Sequence, residues 1–237
     1  MSEVDGSNVD QLIERFRELG PYSFYDELLG LEEKSETKAQ FFNEMLKKFY
    51  WIEKSSHSLV KIGRMGIYFC MSQASQYSRT DADRAKSMKS HAKTIAYNLA
   101  ANSWPGWRDE GVLISQADRA EGLEAARFNL RLAQELEKPR DKLAMAYWLL
   151  GAQELANGEK KSALESFEKS ANIYADLAKN YEANLSLGFF HVTNLSMGDK
   201  NSAGLIEAIC GELKKAEGEI GSFYAKQIED AQFLFVD

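Results

Sequence analysis

The chain has 237 residues, of which 44% are hydrophobic and 27% are charged, so it can bury a sizeable apolar core. Its formal net charge of −7 argues against nucleic-acid binding, because proteins that hold the phosphate backbone concentrate lysine and arginine. There is no apolar stretch of about 18 residues and no signal-like start, so we expect a cytoplasmic protein that does not bind membranes.

The first part of the chain has the periodicity of short helices. Apolar residues at helical spacing predict a helix that Gly20 and Pro21 end, then a short helix over 23–31 and a longer one over 36–54. These segments show no repeat, and the likeliest boundary falls just after them. We therefore treat residues 1–54 as an N-terminal helical extension and residues 55–237 as a separate helical domain.

The next segments are also helical, over 59–77 and 80–101, and end at the sequence NSWPGW. Its Pro105 and Gly106 stand between Trp104 and Trp107 and break any helix. The tryptophan pair is expected to pack around this turn. Cys70 and Cys210 both lie in apolar helical patterns, which favours buried reduced thiols over a disulfide.

After the break, helical segments alternate with short polar turns. Connections of two to four residues require neighbouring helices to pack antiparallel. No segment alternates with the period of a strand, so the predicted fold class is all-α. We predict helices near 108–117, 119–138, 141–156, 160–178, 180–196, 200–216 and 219–235.

Two of these segments repeat at an interval of 40 residues. Gly158 and Gly198 are each followed five residues later by an alanine, Ala163 and Ala203. The glycines suit the left-handed residue that ends a helix, and the alanines suit a close approach of two helices. A repeated helical hairpin is the sequence signature of a stacked array.

The hairpin over 147–170 resembles the tetratricopeptide repeat (TPR) family. The residues that carry the resemblance are Tyr147, Leu150, Gly151, Gly158, Ala163 and Phe167. Glu154 and Ala175 depart from the pattern, since the family usually has an aromatic residue and a proline there. The next copy can be aligned on Gly198 or on Gly188, and the sequence does not choose between these registers.

The resemblance implies an α–α superhelix of antiparallel hairpins whose concave face binds a protein or peptide. In that family the first helix of each hairpin lines the groove. Carried over here, and with the second unit aligned on Gly188, the partner-binding residues are Met145, Trp148, Ala152, Leu155, Leu185, Phe189 and Val192. Trp148 and Phe189 are the expected anchors. This lining is apolar and suits an amphipathic helix or an extended apolar peptide.

The last helix, over 219–235, is expected to cap the array. Its Ile220, Tyr224, Ile228 and Phe233 would face inward, and its charged residues would face solvent.

No arrangement of chemically active residues in the sequence points to catalysis. Glu53 precedes His57 by four residues, but no second such pair exists for a metal, and no phosphate-binding or nucleophile motif occurs. We therefore expect no metal, no cofactor and no enzymatic activity. The first hypothesis is a protein- or peptide-binding scaffold that could also self-associate. The alternatives are a ligand- or peptide-sensing regulator and, less favoured, an enzyme on a helical scaffold.

Overall fold

The computed structural model describes residues 6–215 and 218–236, with the side chains of residues 8 onward. Within these ranges the chain is all-α and contains no strand. A 3₁₀ turn, Pro105–Trp107, separates α4 from α5. The helices are α1 Gly6–Gly30, α2 Ser35–Trp51, α3 Ser56–Tyr77, α4 Ala82–Asn102, α5 Gln116–Glu135, α6 Arg140–Ala156, α7 Lys160–Asp176, α8 Asn180–Ser196, α9 Ser202–Lys214 and α10 Glu219–Phe235.

Most predicted helices are confirmed, and the largest error lies after the Pro–Gly break. The prediction of a helix over 108–117 is wrong, because the chain is irregular from Arg108 to Ser115. Ser115 is the N-cap of α5, where its side chain and that of Asp118 form a capping box. The predicted break in the first helix is present, since Gly20 has φ 73° inside α1.

The 40-residue interval seen in the sequence also separates equivalent helices in the structure. Helices α6 and α8 begin 40 residues apart, at Arg140 and Asn180, and end 40 residues apart. Gly158 and Gly198 follow them with φ of 82° and 99°, the left-handed conformation expected of glycine at a helix end. The register aligned on Gly198 is therefore the structural one, and Gly188 is equivalent to Trp148.

The second helix of the repeat departs from the predicted register. Ala163 is fully buried in α7, whereas Ala203 is exposed in α9. Its place is taken by Ser202, which is fully buried and donates a hydrogen bond to Asp199 at 2.8 Å. The prediction that Ala203 allows close helix packing is wrong, because α9 is displaced by one residue relative to α7.

The helices pack in two rows. Consecutive helices from α2 to α10 contact one another, as antiparallel neighbours joined by short connections must. The even-numbered helices α2, α4, α6, α8 and α10 also contact each other in succession. We call the side of the protein that these five helices form the even-numbered face. One cluster of buried residues runs from α1 to α10, so the core continues across the boundary expected after residue 54.

Helix α10 lies at the end of the even-numbered row, against α8, α9 and the 3₁₀ turn. Ile228 is fully buried and Tyr224 is half-buried, as expected. Ile220 and Phe233 are exposed, so the expectation that both face inward is wrong. Asp230 is mostly shielded from solvent because it accepts a hydrogen bond from Arg108 at 3.1 Å.

The two cysteines, Cys70 and Cys210, are buried and free, as predicted. Burial raises the pKa of the Cys210 thiol to about 11, which keeps it protonated and unreactive at neutral pH.

Candidate binding face

Six of the seven residues predicted to contact a partner are buried in the protein's own core. Trp148 is 7% exposed and Phe189 is fully enclosed. Ala152, Leu155, Leu185 and Val192 are also buried. Met145 alone among the seven is only partly buried, where it packs beside Tyr174.

The space expected for a peptide beside Trp148 is filled by the segment that follows α4. We call Trp104, Trp107, Trp148, Phe167 and Phe189 the aromatic cluster. The ring of Trp148 lies 6.1 Å from Trp104 and 6.3 Å from Trp107, measured between centroids. Trp104 also reaches Phe189 of α8 at 5.7 Å. The aromatic cluster therefore joins the segment after α4 to α6, α7 and α8 in the core.

Hydrogen bonds hold two of the rings of this cluster in place. Trp104 donates its indole N–H to the carbonyl of Ala152 at 3.0 Å, and Trp107 donates to Ala101 at 2.7 Å. Gly106 permits the arrangement, since a Cβ there would come within 2.1 Å of the Trp104 ring. The indole nitrogen of Trp148 is enclosed and has no hydrogen-bond partner. A buried donor without a partner costs free energy, so the packing of Trp148 must outweigh that loss.

Three tyrosines on or beside the even-numbered helices have hydroxyl groups without an internal partner among the described residues. They come from different helices: Tyr97 from α4, Tyr174 from α7 and Tyr224 from α10. Tyr174 packs between Ala144 of α6 and Ala183 of α8. None of the three hydroxyl groups has a hydrogen-bond partner among the described residues, and none is fully enclosed. Their hydroxyls are thus available to a ligand or partner.

The three tyrosines influence one another's pKa values. Burial, the largest cause, raises the pKa of Tyr174, and Glu182, Tyr224 and Tyr97 raise it further. Burial and then Tyr224 raise the pKa of Tyr97, while burial and then Glu182 raise that of Tyr224. All three hydroxyls therefore remain protonated near neutral pH and can both donate and accept hydrogen bonds.

Glu154, which replaces the usual aromatic residue of the repeat, is 6% exposed. Its carboxylate accepts a hydrogen bond from Ser166 of α7 at 2.7 Å. Burial raises the pKa of Glu154, and the hydrogen bond from Ser166 opposes that rise. The pair joins α6 to α7 inside the core and lies away from an open cleft, so it is a structural contact.

The histidines are dispersed over α3, α4 and α8. His57 is exposed, and burial lowers the pKa of His91 and of His191. Over residues 6–215 and 218–236, no three His, Cys, Asp or Glu side chains are grouped so that they could hold a metal ion.

Sequence reasoning missed the roles of Tyr97 and Tyr174. Both lie at apolar positions of helical patterns, and the sequence does not show whether the hydroxyl of such a tyrosine has a hydrogen-bond partner. Tyr224 was included in the inward stripe of the last helix, and that placement is confirmed.

No protein-family model matches the protein, and searches of curated proteins and of solved structures find no similar chain. No helix in the part of the chain that the structure describes is both long and apolar enough to cross a membrane.

Proposed function

We propose that the chain is a non-catalytic scaffold that binds a protein or peptide on its even-numbered face. The observation that carries the proposal is a set of three tyrosine hydroxyls from three helices, which influence one another's pKa values and have no hydrogen-bond partner among the described residues. Tyrosine is favoured at protein interfaces because its ring buries apolar area while its hydroxyl forms hydrogen bonds.

We also infer that the helices form a TPR-like superhelix. The 40-residue register of α6 and α8 supports this inference, as does the close fit of Gly151 against Phe167, where an added Cβ would lie 2.9 Å from the ring. The successive contacts between even-numbered helices are what curvature toward that side would produce. The even-numbered face would then be concave.

The contacts proposed for the partner differ from those expected from the sequence. Met145 keeps its proposed contact role, because it lies partly exposed beside Tyr174. We assign a structural role to Trp148, Phe189 and the other buried lining residues, which form the core beneath the even-numbered face. A partner would therefore meet a surface of tyrosine hydroxyls and mixed charge, including Glu182, rather than an apolar groove.

A capture experiment with matched variants tests this proposal. The triple variant Tyr97→Phe, Tyr174→Phe and Tyr224→Phe removes the hydroxyls and keeps the rings, so the fold should be retained. Tyr22→Phe is the control, because Tyr22 is 88% exposed on α1. Wild type and control should recover the same partner from a lysate of the source organism.

The triple variant should recover much less of that partner at unchanged helical content. Equal recovery by the triple variant would show that the partner uses another surface. Capture by wild type of nothing above a bead-only control would remove the basis for a scaffold.

A further inference from the structure

Lys93 is a largely buried lysine whose ammonium has no counter-ion among the described residues. Its side chain lies on α4, one turn before Tyr97, and the residue is 8% exposed. The ammonium lies 5.9 Å from the centre of the Tyr97 ring, and it makes no hydrogen bond or ion pair with any described residue. The ammonium is not fully enclosed, so an anion from solvent can reach it and form a charge-assisted hydrogen bond.

Two further lysines add positive charge in the neighbourhood of this ammonium. Lys138 donates a hydrogen bond to the hydroxyl of Ser90 at 2.8 Å, and Ser90 lies one turn before Lys93 on the same helix. Lys142 lies in the first turn of α6. Burial, and then the charges of Lys138 and Lys142, lower the pKa of Lys93, and no carboxylate acts in the opposite direction.

One carboxylate, that of Asp141 in the first turn of α6, is shared between two lysines. Asp141 lies 4.0 Å from the ammonium of Lys142 and 3.4 Å from that of Lys179. One carboxylate therefore faces several ammonium groups, and the cluster carries a net positive charge within a chain whose overall charge is −7.

The start of α6 adds to the attraction for an anion. Lys138 precedes the N-cap residue Pro139, which supplies no side-chain cap. The first amide groups of this 17-residue helix have no intrahelical acceptor, and the helix dipole places partial positive charge there. The buried, unpartnered Lys93 makes this helix start different from an ordinary uncapped terminus.

We propose that Lys93, Lys138 and Lys142 form a binding site for a phosphoryl group. Three ammonium groups fit the dianionic charge of a phosphate ester better than the single charge of a carboxylate. The group can belong to a phosphorylated residue of a protein or to a small phosphate ester. The site goes beyond the proposed scaffold function, since a small ester can occupy it without a protein partner.

A titration with inorganic phosphate tests the site on the full chain. Amide chemical shifts are followed by ¹H–¹⁵N NMR at constant ionic strength in a buffer free of phosphate, and acetate is titrated in parallel. Phosphate should shift the amides around Lys93 and Lys138–Lys142 and reach saturation. Lys93→Met should weaken this binding by about tenfold or more, because a charge-assisted contact is lost.

Matched variants separate the site from a general effect of charge. Lys86→Met removes an exposed lysine from the same helix and should leave the binding of phosphate unchanged. Lys138→Gln should weaken binding while the rest of the spectrum stays as in wild type. Saturable, Lys93-dependent binding would support the proposal even if the tyrosine variants capture the partner normally.

Two results would overturn the proposal. One is a phosphate response that does not saturate or that spreads equally over exposed lysines, which would indicate adventitious ion binding. The other is equal binding of acetate and phosphate, which would indicate a carboxylate site. If the proposal holds, tighter binding of a phosphoserine peptide than of inorganic phosphate assigns the group to a protein, and equal or weaker binding assigns it to a small ester.

Discussion

Replacement of Trp148 by alanine distinguishes a core residue from a partner-binding residue. A buried tryptophan removes roughly 150–250 Å² from water, which corresponds to about 4–6 kcal/mol at about 25 cal/mol per Å². Trp148 is 7% exposed and packs edge-on against Phe189 at 5.3 Å. Since alanine keeps little of this area and leaves a cavity, we expect a loss of about 3–5 kcal/mol in the free energy of unfolding.

Urea denaturation followed by circular dichroism measures this loss. A domain is commonly stable by about 5–15 kcal/mol, so the variant should unfold at a much lower urea concentration. Trp148→Phe should cost less, because it keeps an aromatic ring and removes the unpartnered indole N–H. Trp51→Ala is the control and should cost less than about 1 kcal/mol, since Trp51 is 58% exposed. A loss below about 1 kcal/mol for Trp148→Ala would refute its assignment to the core.

Three further predictions concern the helix contacts and one buried acid. Gly188→Ala should cost about 1–3 kcal/mol in urea denaturation, because its Cβ would lie 2.3 Å from Ile228. If that contact is responsible, the double variant with Ile228→Ala should cost less than the sum of the two single changes. Gly158→Ala should cost about 1 kcal/mol because the φ of Gly158 is 82°. Gly204→Ala lies inside α9 with open space around it and should stabilise the protein or leave its stability unchanged. Equal changes in stability for the two variants would contradict this reasoning. Glu154→Gln should raise stability at neutral pH, because a raised pKa means that the ionised form is disfavoured in the folded state. The gain over wild type should disappear as the pH falls below about 4.5, where the acid is protonated in both the folded and the unfolded state. Thermal unfolding measured across this pH range tests the prediction, and a difference between variant and wild type that does not change with pH would contradict it.

The helices themselves were predictable because their signals are local. Apolar periodicity, the Gly–Pro break at Gly20 and the glycines at Gly158 and Gly198 each depend on a few neighbouring residues. The all-α class followed from the same signals. The prediction for the segment after Trp107 is wrong because local periodicity does not reveal its long-range contacts, such as those of Arg108 with Asp230 and of Asp109 with Tyr50.

The candidate site was less predictable because it depends on contacts between helices. At the 40-residue interval Trp148 is equivalent to Gly188, so the same position holds a large ring in α6 and no side chain in α8. Trp148 meets Trp104 and Trp107 from the preceding segment, and Ile228 of α10 fills the space at Gly188. No local sequence pattern indicates which distant segment packs against each of these two positions. For the same reason the groove residues implied by the resemblance are mostly core residues here.

The most direct test of the proposed binding face is hydroxyl-radical footprinting of the chain with and without its captured partner. Tyrosine and methionine side chains report on their own exposure, so Tyr97, Met145, Tyr174 and Tyr224 can be followed individually. We expect lower modification of these residues in the complex, while Tyr68, which is 67% exposed on α3, stays unchanged. Protection of Tyr68 with no protection of the four residues on the even-numbered face would contradict the proposed function.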